Sequence, residues 1–310
     1  MLRVLVLGSA AGGGFPQWNS NDAASRRARA KDPAAPSRTQ SSLAVSSDQR
    51  RWVICNASPD LRQQINDNPA LHPQSGLRDS PIASVILTNG DVDHVAGLLT
   101  LRENHPLALY ATPRVLSVLH ANSIFNVLNP GSVERRSIKL HEPLEIRDRS
   151  GHGIGVFVEA FAVPGKVALY LEDAAAGDNF GTQPEDTIGL RIAGRDNRSQ
   201  FFYVPACAAL TDDIADRLAG ASLVLFDGTL WRDDEMIVAG VGTKTGRRMG
   251  HMSVSGAEGT MAAFAKLGVR RKIFVHMNNT NPILLADTPE RAAIAEAGWE
   301  AAYDGMEIML

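Results

Sequence analysis

The sequence predicts an α/β fold in which two β-sheets pack against each other and helices cover their outer faces. Short apolar runs rich in β-branched and aromatic residues recur along the chain, bounded by Gly, Pro or Asn, and such runs are typical of strands. Helical patterns, several of them opening on Ser, Thr or Asp, fall between these runs. Strands dominate the first part of the chain and alternate with helices toward its end, an order that favours two packed sheets.

The predicted elements follow in chain order. Strands are predicted at residues 3–8, 41–47, 51–58, 83–89, 107–113, 154–165, 187–193, 200–207, 222–229 and 271–278. Helices are predicted at residues 58–69, 93–104, 112–128, 211–220, 255–268 and 288–298. The small, polar segment 174–186 is predicted to be an insertion or a lid. Because the sequence has no internal repeat and no long linker, we predict one domain over residues 1–310.

Composition and charge exclude several classes of protein. The 310 residues are 44% apolar and 21% charged, which is ordinary for a globular protein, and a formal net charge of −3 provides no basic face for nucleic acid. The first apolar run is too short for a signal peptide, and no run approaches the roughly 20 residues of a membrane span. Cys55 and Cys207 both lie in predicted strands, so we expect no disulfide and a cytoplasmic location.

The stretch TNGDVDHVAGL, residues 88–98, places carboxylates and a histidine at a predicted strand-to-helix corner. Asp93 and His94 can both turn inward there, and their oxygen and nitrogen donors suit Fe(II), Mn or Zn. The alternative is that Asp93 caps the helix and His94 is a surface residue. Asp227 and His276 also stand at the ends of apolar strands, and His251 follows a Gly at an element boundary. Because polar groups at strand ends gather at one edge of a sheet, these residues favour a metal site.

The order of these residues resembles the metallo-β-lactamase superfamily, whose fold is an αββα sandwich of two mixed β-sheets flanked by helices. The superfamily motif T-H-x-H-x-D-H-x-x-G is matched at Thr88, Asp93, His94 and Gly97. Asn89 and Asp91 stand where its first two histidines would be. They remain candidates for binding the metal or for supporting its ligands.

The other metal-binding positions of the superfamily are partly filled. Lys166, in VPGK, stands at the histidine of a P-G-H motif, and YVPAC, residues 203–207, has no carboxylate where a bridging aspartate is expected. His251 and His276 match two late histidines of the phosphodiesterase and RNA-processing branch. The resemblance implies that the ligands of a first metal are lost, whereas Asp93, His94 and His276 remain as metal ligands.

Two histidines and one carboxylate compose the facial triad that binds non-haem Fe(II) and leaves positions open for O₂ and substrate. We therefore expect one Fe(II) site with O₂ as co-substrate. We also predict that Lys166 replaces the charge of the lost metal and pairs with Asp91, because a buried unpaired carboxylate is costly; a surface lysine is the alternative. Asp227 and His251 are predicted to act in acid–base chemistry or to orient a ligating histidine, and direct metal binding by Asp227 stays open.

Longer segments, among them GSAAGGGFPQWN, LTNGDVDHVAGLLTLRE and VHMNNTNP, together resemble the pyrroloquinoline quinone biosynthesis protein B family over nearly the whole chain. The resemblance implies a role in making pyrroloquinoline quinone (PQQ), alongside other proteins of that pathway. It further implies hydroxylation of the tyrosine ring of a Glu-Tyr dipeptide or related precursor. The family's early cysteine hook is absent, since Ser20, Asp22 and Ser25 stand at the cysteine positions, so we expect no structural zinc.

Candidate substrate-binding residues surround the late histidines. Asn278, Asn279 and Thr280 offer neutral hydrogen-bonding groups beside His276. The cationic candidates for holding substrate carboxylates are Lys166, Arg102, Lys244 and Arg247. The loop GSAAGGG, residues 8–14, lacks the spacing of phosphate-binding motifs, so its glycines are predicted to let the backbone turn tightly beside the site.

Other functions stay open beside an iron-dependent hydroxylase. One is a carrier that moves PQQ or its precursor toward the periplasm, or a binding protein with a structural metal. Another is a metallo-hydrolase of the phosphodiesterase type. A carrier has no use for an open triad, and a lone metal is poorly suited to hydrolysis by a bridging hydroxide, so we favour the hydroxylase. The sequence does not fix the oligomeric state, and a homodimer is compatible with it.

Overall fold

The strands form two seven-stranded mixed sheets in the computed structural model, which describes residues 1–176 and 179–310. The first sheet contains β1 (Arg3–Gly8), β2 (Ser42–Ser46), β3 (Trp52–Cys55), β4 (Ile82–Ile86), β5 (Leu107–Ala111), β6 (Val133–Ser137) and β14 (Glu307–Met309). The second contains β7 (Leu144–Arg147), β8 (Gly153–Ala162), β9 (Ile188–Gly194), β10 (Gln200–Val204), β11 (Leu223–Asp227), β12 (Arg271–Val275) and β13 (Trp299–Ala301).

Each sheet is antiparallel at one side and parallel at the other. The first sheet has the order β14-β1-β2-β3-β4-β5-β6, and its strands are parallel from β3 to β6. The second has the order β13-β12-β11-β10-β9-β8-β7, and its strands are parallel from β10 to β13. The carboxyl ends of parallel neighbours such as β11 and β12 therefore lie at one edge, where sites form in such sheets.

Three apolar clusters account for the layering. The first lies between the sheets and draws residues from both, including Val45 and Val53 of one and Val156 and Leu190 of the other. The other two clusters pack helices against the outer faces of the sheets. The helices are α1 (Ala23–Arg29), α2 (Leu61–Asp67), α3 (Val92–Val95), α4 (Pro113–Ala121), α5 (Asp212–Leu218), α6 (Glu235–Val238), α7 (Thr260–Phe264) and α8 (Pro289–Glu296). The predicted αββα sandwich is confirmed.

The predicted helix at residues 93–104 is wrong in its extent. Only α3 is α-helical, and a 3₁₀ helix continues from Ala96 to Leu101. The Gly97 amide donates to the carbonyl of Ala57 at 2.9 Å, so the α-helical ladder is interrupted there. The predicted helices at 58–69, 112–128 and 255–268 are likewise shorter, and β6, β7, β13, β14, α1 and α6 were not predicted.

Part of the predicted insertion lies outside the described residues. Residues 177 and 178 of the segment 174–186 belong to that part, whereas Ala174–Ala176 form a 3₁₀ turn. Cys55 and Cys207 are buried and free, as expected. Within residues 1–176 and 179–310, no helix is long and apolar enough to cross a membrane.

Candidate metal centre

The candidate site lies where strand ends of both sheets meet. Asp227 ends β11 and His276 directly follows β12, its parallel neighbour, while the corner after β4 carries residues 88–94. His276 and residues of that corner, including Asp93 and His94, line a cavity of about 440 Å³, and Asp227 is buried behind it. His276 adopts a φ of 58°, a left-handed backbone conformation that few non-glycine residues adopt and that recurs at functional sites.

Asp93, His94 and His276 form the first cluster of potential metal donors. Their donor atoms lie within 4.8 Å of one another. Asp93 Oδ2 is 3.0 Å from His276 Nε2 and 3.9 Å from His94 Nε2. Two ligands held at right angles about 2.1 Å from a metal lie about 3 Å apart, so the cluster needs only a small adjustment to bind one ion. The sequence-predicted ligand set is thus brought together.

The orientation of His94 also fits a metal. Its Nδ1 lies 2.7 Å from Asn89 Oδ1, so the ring donates that proton to the amide oxygen. Its Nε2 is buried and has no hydrogen-bond partner among the residues that the structure describes. Because a buried polar atom without a partner is costly, a metal ligated by Nε2 gives this atom its missing partner. Asn89 thus orients the candidate ligand His94 through this bond.

Burial and charge set the protonation of this cluster. Burial alone would raise the pKa of Asp93, but the charge interaction with His94 and the hydrogen bond from His276 hold it well below its usual range. Burial lowers the pKa of His94 to about 4. Burial opposes the charged form of His276, yet its hydrogen bond to Asp93 raises its pKa above the ordinary 6.5. In the absence of a metal, these shifts favour a protonated His276 that donates from Nε2 to an ionised Asp93.

A second cluster of potential donors consists of Asp227, His251 and the same His276. His251 Nδ1 lies 2.7 Å from Asp227 Oδ2. The Thr229 hydroxyl fills the middle of the cluster, at 2.6 Å from Asp227 Oδ1, 3.1 Å from His251 Nδ1 and 2.8 Å from His276 Nδ1. These donors are thus already hydrogen-bonded around an oxygen atom. Sequence reasoning did not select Thr229, although its position two residues after Asp227 at a strand end was a signal.

The predicted ion pair between Lys166 and Asp91 is present. Lys166 Nζ lies 3.2 Å from Asp91 Oδ1, and the two side chains are 17% and 21% exposed. Asp91 Oδ1 also accepts from the Leu169 amide at 3.3 Å, and the Tyr170 hydroxyl donates to the Gly90 carbonyl at 2.6 Å. The ammonium group thus neutralises Asp91, and the segment that follows Lys166 packs onto the corner after β4.

The predicted substrate-binding residues divide into two groups. Lys166, Lys244 and Asn278 line the cavity. Asn279 is buried, and Thr280 accepts a hydrogen bond from Asn278 Nδ2 at 2.7 Å and donates to Glu235, so it supports Asn278 from behind.

Two of the cationic predictions are corrected by the structure. Arg102 follows the 3₁₀ helix on the outer surface, where it donates to the Leu99 carbonyl and lies beside Glu103. Arg247 is exposed and pairs with Glu258. The neighbouring Arg248, which sequence reasoning missed, donates to Glu172 from Nη1 at 3.2 Å and from Nη2 at 2.6 Å. Lys244 lies 3.4 Å from the same carboxylate.

The side chains at the family's cysteine positions hydrogen-bond to one another. Asp22 accepts from the Ser25 amide at 2.7 Å and from the Ser25 hydroxyl at 2.6 Å, and it also accepts from the Ser20 hydroxyl. Asp22 is the N-cap of α1. Three oxygen-bearing side chains without a thiol do not fit a structural zinc site, and here Asp22 caps a helix while both serines donate to it.

The glycine loop turns beside the metal cluster, as predicted. Gly13 and Gly14 have φ angles of 92° and 68°. A Cβ atom at Gly12 would lie 3.5 Å from Asp93 Oδ2. Backbone at this position therefore packs directly against the candidate ligand.

Comparison with known proteins places these features in a family. The sequence profile of the beta-lactamase superfamily domain matches residues 51–277. The coenzyme PQQ synthesis protein B of Gluconacetobacter diazotrophicus is 57% identical, over 99% of each chain. The crystal structure of Zn²⁺-bound PqqB from Methylobacterium extorquens has 50% sequence identity and a TM-score of 0.93, and the match covers 99% of this chain and 100% of that one.

A more distant structural neighbour is a diphosphatase from the PhnP family, with 18% identity and a TM-score of 0.68 over 100% of this chain and 98% of that one. At this identity the likeness concerns the fold alone.

Proposed function

Because the chain belongs to the coenzyme PQQ synthesis protein B family of the beta-lactamase superfamily, we propose that it acts in PQQ biosynthesis as an Fe(II)- and O₂-dependent hydroxylase. Its substrate is the tyrosine ring of a Glu-Tyr-derived intermediate. The observation that carries the proposal is the set of Asp93, His94 and His276, with a buried His94 Nε2 that lacks a hydrogen-bond partner among the described residues. Fe(II) held by two imidazoles and one carboxylate supplies open positions for O₂ and substrate.

The residues around the cluster support binding and proton transfer. His251 donates from Nδ1 to Asp227, which leaves its Nε2 as a base for a substrate proton at the cavity wall. Lys244 and Lys166 line the cavity wall, where they are paired with Glu172 and Asp91, and they are the cationic candidates for contacting substrate carboxylates. Asn278 is held by Thr280 and offers a neutral hydrogen-bonding group.

The arrangement disfavours the hydrolytic alternative. Lys166 and Asp91 form an ion pair where the superfamily's first metal would bring positive charge. The donors of the second cluster are already engaged in hydrogen bonds with the Thr229 hydroxyl. A bridging hydroxide between two metals is therefore poorly supported, and a carrier role gains nothing from the open cluster.

The test loads the protein anaerobically with Fe(II), adds Glu-Tyr dipeptide and ascorbate as reductant, and admits isotopically labelled O₂. Hydroxylation inserts one labelled oxygen atom into the ring, the other leaves as water, and ascorbate supplies the two electrons. Mass spectrometry should detect the labelled catechol. His276→Ala should abolish both iron binding and product, whereas His120→Ala, at an exposed position of α4, should change neither.

The alternatives give different results in the same experiment. Binding of two zinc ions with turnover of a phosphodiester would support a hydrolase. Tight binding of the dipeptide or of PQQ without either reaction would support a carrier.

A further inference from the structure

One hydroxyl group connects the two clusters of the site. Thr229 Oγ1 lies 2.6 Å from Asp227 Oδ1 and 2.8 Å from His276 Nδ1, and it is also 2.9 Å from the His276 carbonyl oxygen. Thr229 is 4% exposed and Asp227 is fully buried. The contacts are thus made away from water, where the distribution of protons among them is strongly determined.

A count of protons assigns each contact a direction. A threonine hydroxyl has one proton to donate and lone pairs with which to accept. The carboxylate at 2.6 Å is the shortest and only charged acceptor, so it takes this proton. The hydroxyl can then only accept from the nitrogen at 2.8 Å, and His276 Nδ1 must carry a hydrogen. His251 Nδ1 is likewise a donor, to the other oxygen of Asp227 at 2.7 Å.

We propose that Thr229 is a positioning residue that keeps the proton of His276 on Nδ1 and thereby reserves Nε2 as the metal-binding atom. The proposal rests on the metal-binding part of the proposed function and adds the group that prepares this ligand. Asp227 acts through the hydroxyl, because the carboxylate takes the hydroxyl proton and turns the lone pairs toward His276. The amide oxygen of Asn89 likewise accepts from Nδ1 of the ligand His94 and leaves its Nε2 for the metal.

The backbone holds the hydroxyl in place. The Thr229 amide donates to Asp227 Oδ1 at 3.0 Å, and the Thr229 carbonyl accepts from the Asn278 amide at 2.9 Å. Asn281 Nδ2 donates to the Gly228 carbonyl at 2.8 Å. The turn after β11 is thus tied to the turn after β12, which fixes Thr229 relative to His276.

The test reads the tautomer directly. Long-range ¹H–¹⁵N NMR of the metal-free protein at alkaline pH, and of the zinc-loaded protein, should show the proton of His276 on Nδ1. Thr229→Val removes the acceptor while nearly keeping the shape, so the metal-free ring should move its proton to Nε2, toward Asp93. Chelator competition should then show zinc affinity lowered by about 10- to 100-fold, the usual effect of losing a partner of a ligating histidine.

Two further variants make the result specific. Thr229→Ser keeps the hydroxyl and should retain the Nδ1–H tautomer and most of the affinity. Thr260→Val, at a buried threonine that donates to the Ser253 carbonyl, should leave both unchanged. A native His276 with its proton on Nε2, or a Thr229→Val protein with the zinc affinity of Thr260→Val, would overturn the proposal.

The native spectrum and Thr229→Ser decide the question if Thr229→Val does not fold. The outcome is also separable from the proposed function. A protein with the expected tautomers and zinc affinities that forms no catechol supports the role of Thr229 and contradicts only the hydroxylase.

Discussion

At the scale of single residues, the proton between Asp93 and His276 controls how metal binding depends on pH. Hydrogen bonding to Asp93 raises the pKa of His276 above 6.5, so the metal-free ring is protonated to a higher pH than a free imidazole. A metal must displace the proton on Nε2, which faces Asp93. We therefore predict that metal affinity rises about tenfold per pH unit below the pKa of His276 and levels off above it.

Calorimetric titration with Zn²⁺ in buffers of different ionisation enthalpy measures the number of protons released when the metal binds. Close to one proton should leave per ion bound at pH values below the pKa of His276, and none of it should come from His94, since burial lowers the pKa of that ring to about 4. Binding with no proton release across the neutral range would contradict the assignment.

The candidate ligands were predicted from the resemblance to the superfamily motif, and their positions at a strand-to-helix corner and at a strand end favoured the same site. Asp93, His94 and His276 met as expected. The wrong predictions share one cause: the sequence shows that a residue is charged but not whether its side chain faces the cavity or the outer surface. Arg102 and Arg247 carry the right charge but lie on the outer surface, whereas Glu172, a carboxylate in an unremarkable segment, is the partner of the cavity cation Lys244.

At the scale of elements, helix α1 depends on the cap that replaces the family's cysteines. Burial alone would raise the pKa of Asp22, but hydrogen bonds from Ser20 and Ser25 lower this pKa below 3.8. We predict that Asp22→Ala lowers the free energy of unfolding by about 1 kcal/mol, as for other lost N-caps. A carboxyl group whose pKa is lowered on folding stabilises the fold at pH values above its pKa in the unfolded state. This effect is lost as the pH falls through its pKa in the folded state, so the stability difference between the two proteins should shrink in acid.

Urea denaturation of both proteins across the acid range measures that difference. The matched control is Asp234→Ala, since Asp234 is the N-cap of α6 but makes no capping hydrogen bond. It should change stability by less than half as much. A chelator that destabilised the native protein but not Asp22→Ala would argue for a metal at this corner instead.

The loop that follows α6 is joined to the segment after β8 by one ion-pair cluster. Glu172 is 12% exposed and bridges Lys244 and Arg248, and the Arg248 guanidinium also lies 3.5 Å over the Phe180 ring. Its partners hold the pKa of Glu172 below its usual value, Arg248 above all. The carboxylate thereby neutralises cations beside the cavity.

We predict that Glu172→Gln lowers the KM for Glu-Tyr dipeptide severalfold with little change in kcat, because Lys244 and Arg248 become free to attract substrate carboxylates. Steady-state kinetics should show the effect fade with added salt. Glu258→Gln, which releases only the exposed Arg247, provides the control. An unchanged KM in Glu172→Gln would mean that substrate carboxylates bind elsewhere.

Elements with a strong apolar pattern were predicted well, and those defined by their surroundings were not. The first strand matches its predicted bounds, and β9, β11 and β12 fall within a few residues of theirs. Strand β6 reads VERRS and has no alternating pattern, and β14 is three residues long at the edge of its sheet. Their strand conformation comes from pairing with β5 and β1 rather than from their own sequence.

At the scale of the whole molecule, the apolar layer between the sheets should make them unfold together. Leu190 of β9 is fully buried in this layer, which also contains Val45 and Val53 of the opposite sheet. The Tyr203 hydroxyl of β10 further lies 3.3 Å from the Ser41 hydroxyl, next to β2. Neither sheet can lose this layer without exposing the apolar face of the other, so we expect one cooperative unfolding transition.

We therefore predict that Leu190→Ala lowers the free energy of unfolding by about 2–5 kcal/mol, the range for a buried leucine that leaves a cavity. Hydrogen exchange should show amides of β3 and β12, in different sheets, losing the same amount of protection. Leu77→Ala, at a fully exposed leucine, should leave both unchanged. If β12 exchanged faster while β3 kept its native protection, the two sheets would be separate folding units. The candidate metal cluster, with Asp93 after one sheet's β4 and His276 after the other's β12, would then form only after the sheets dock.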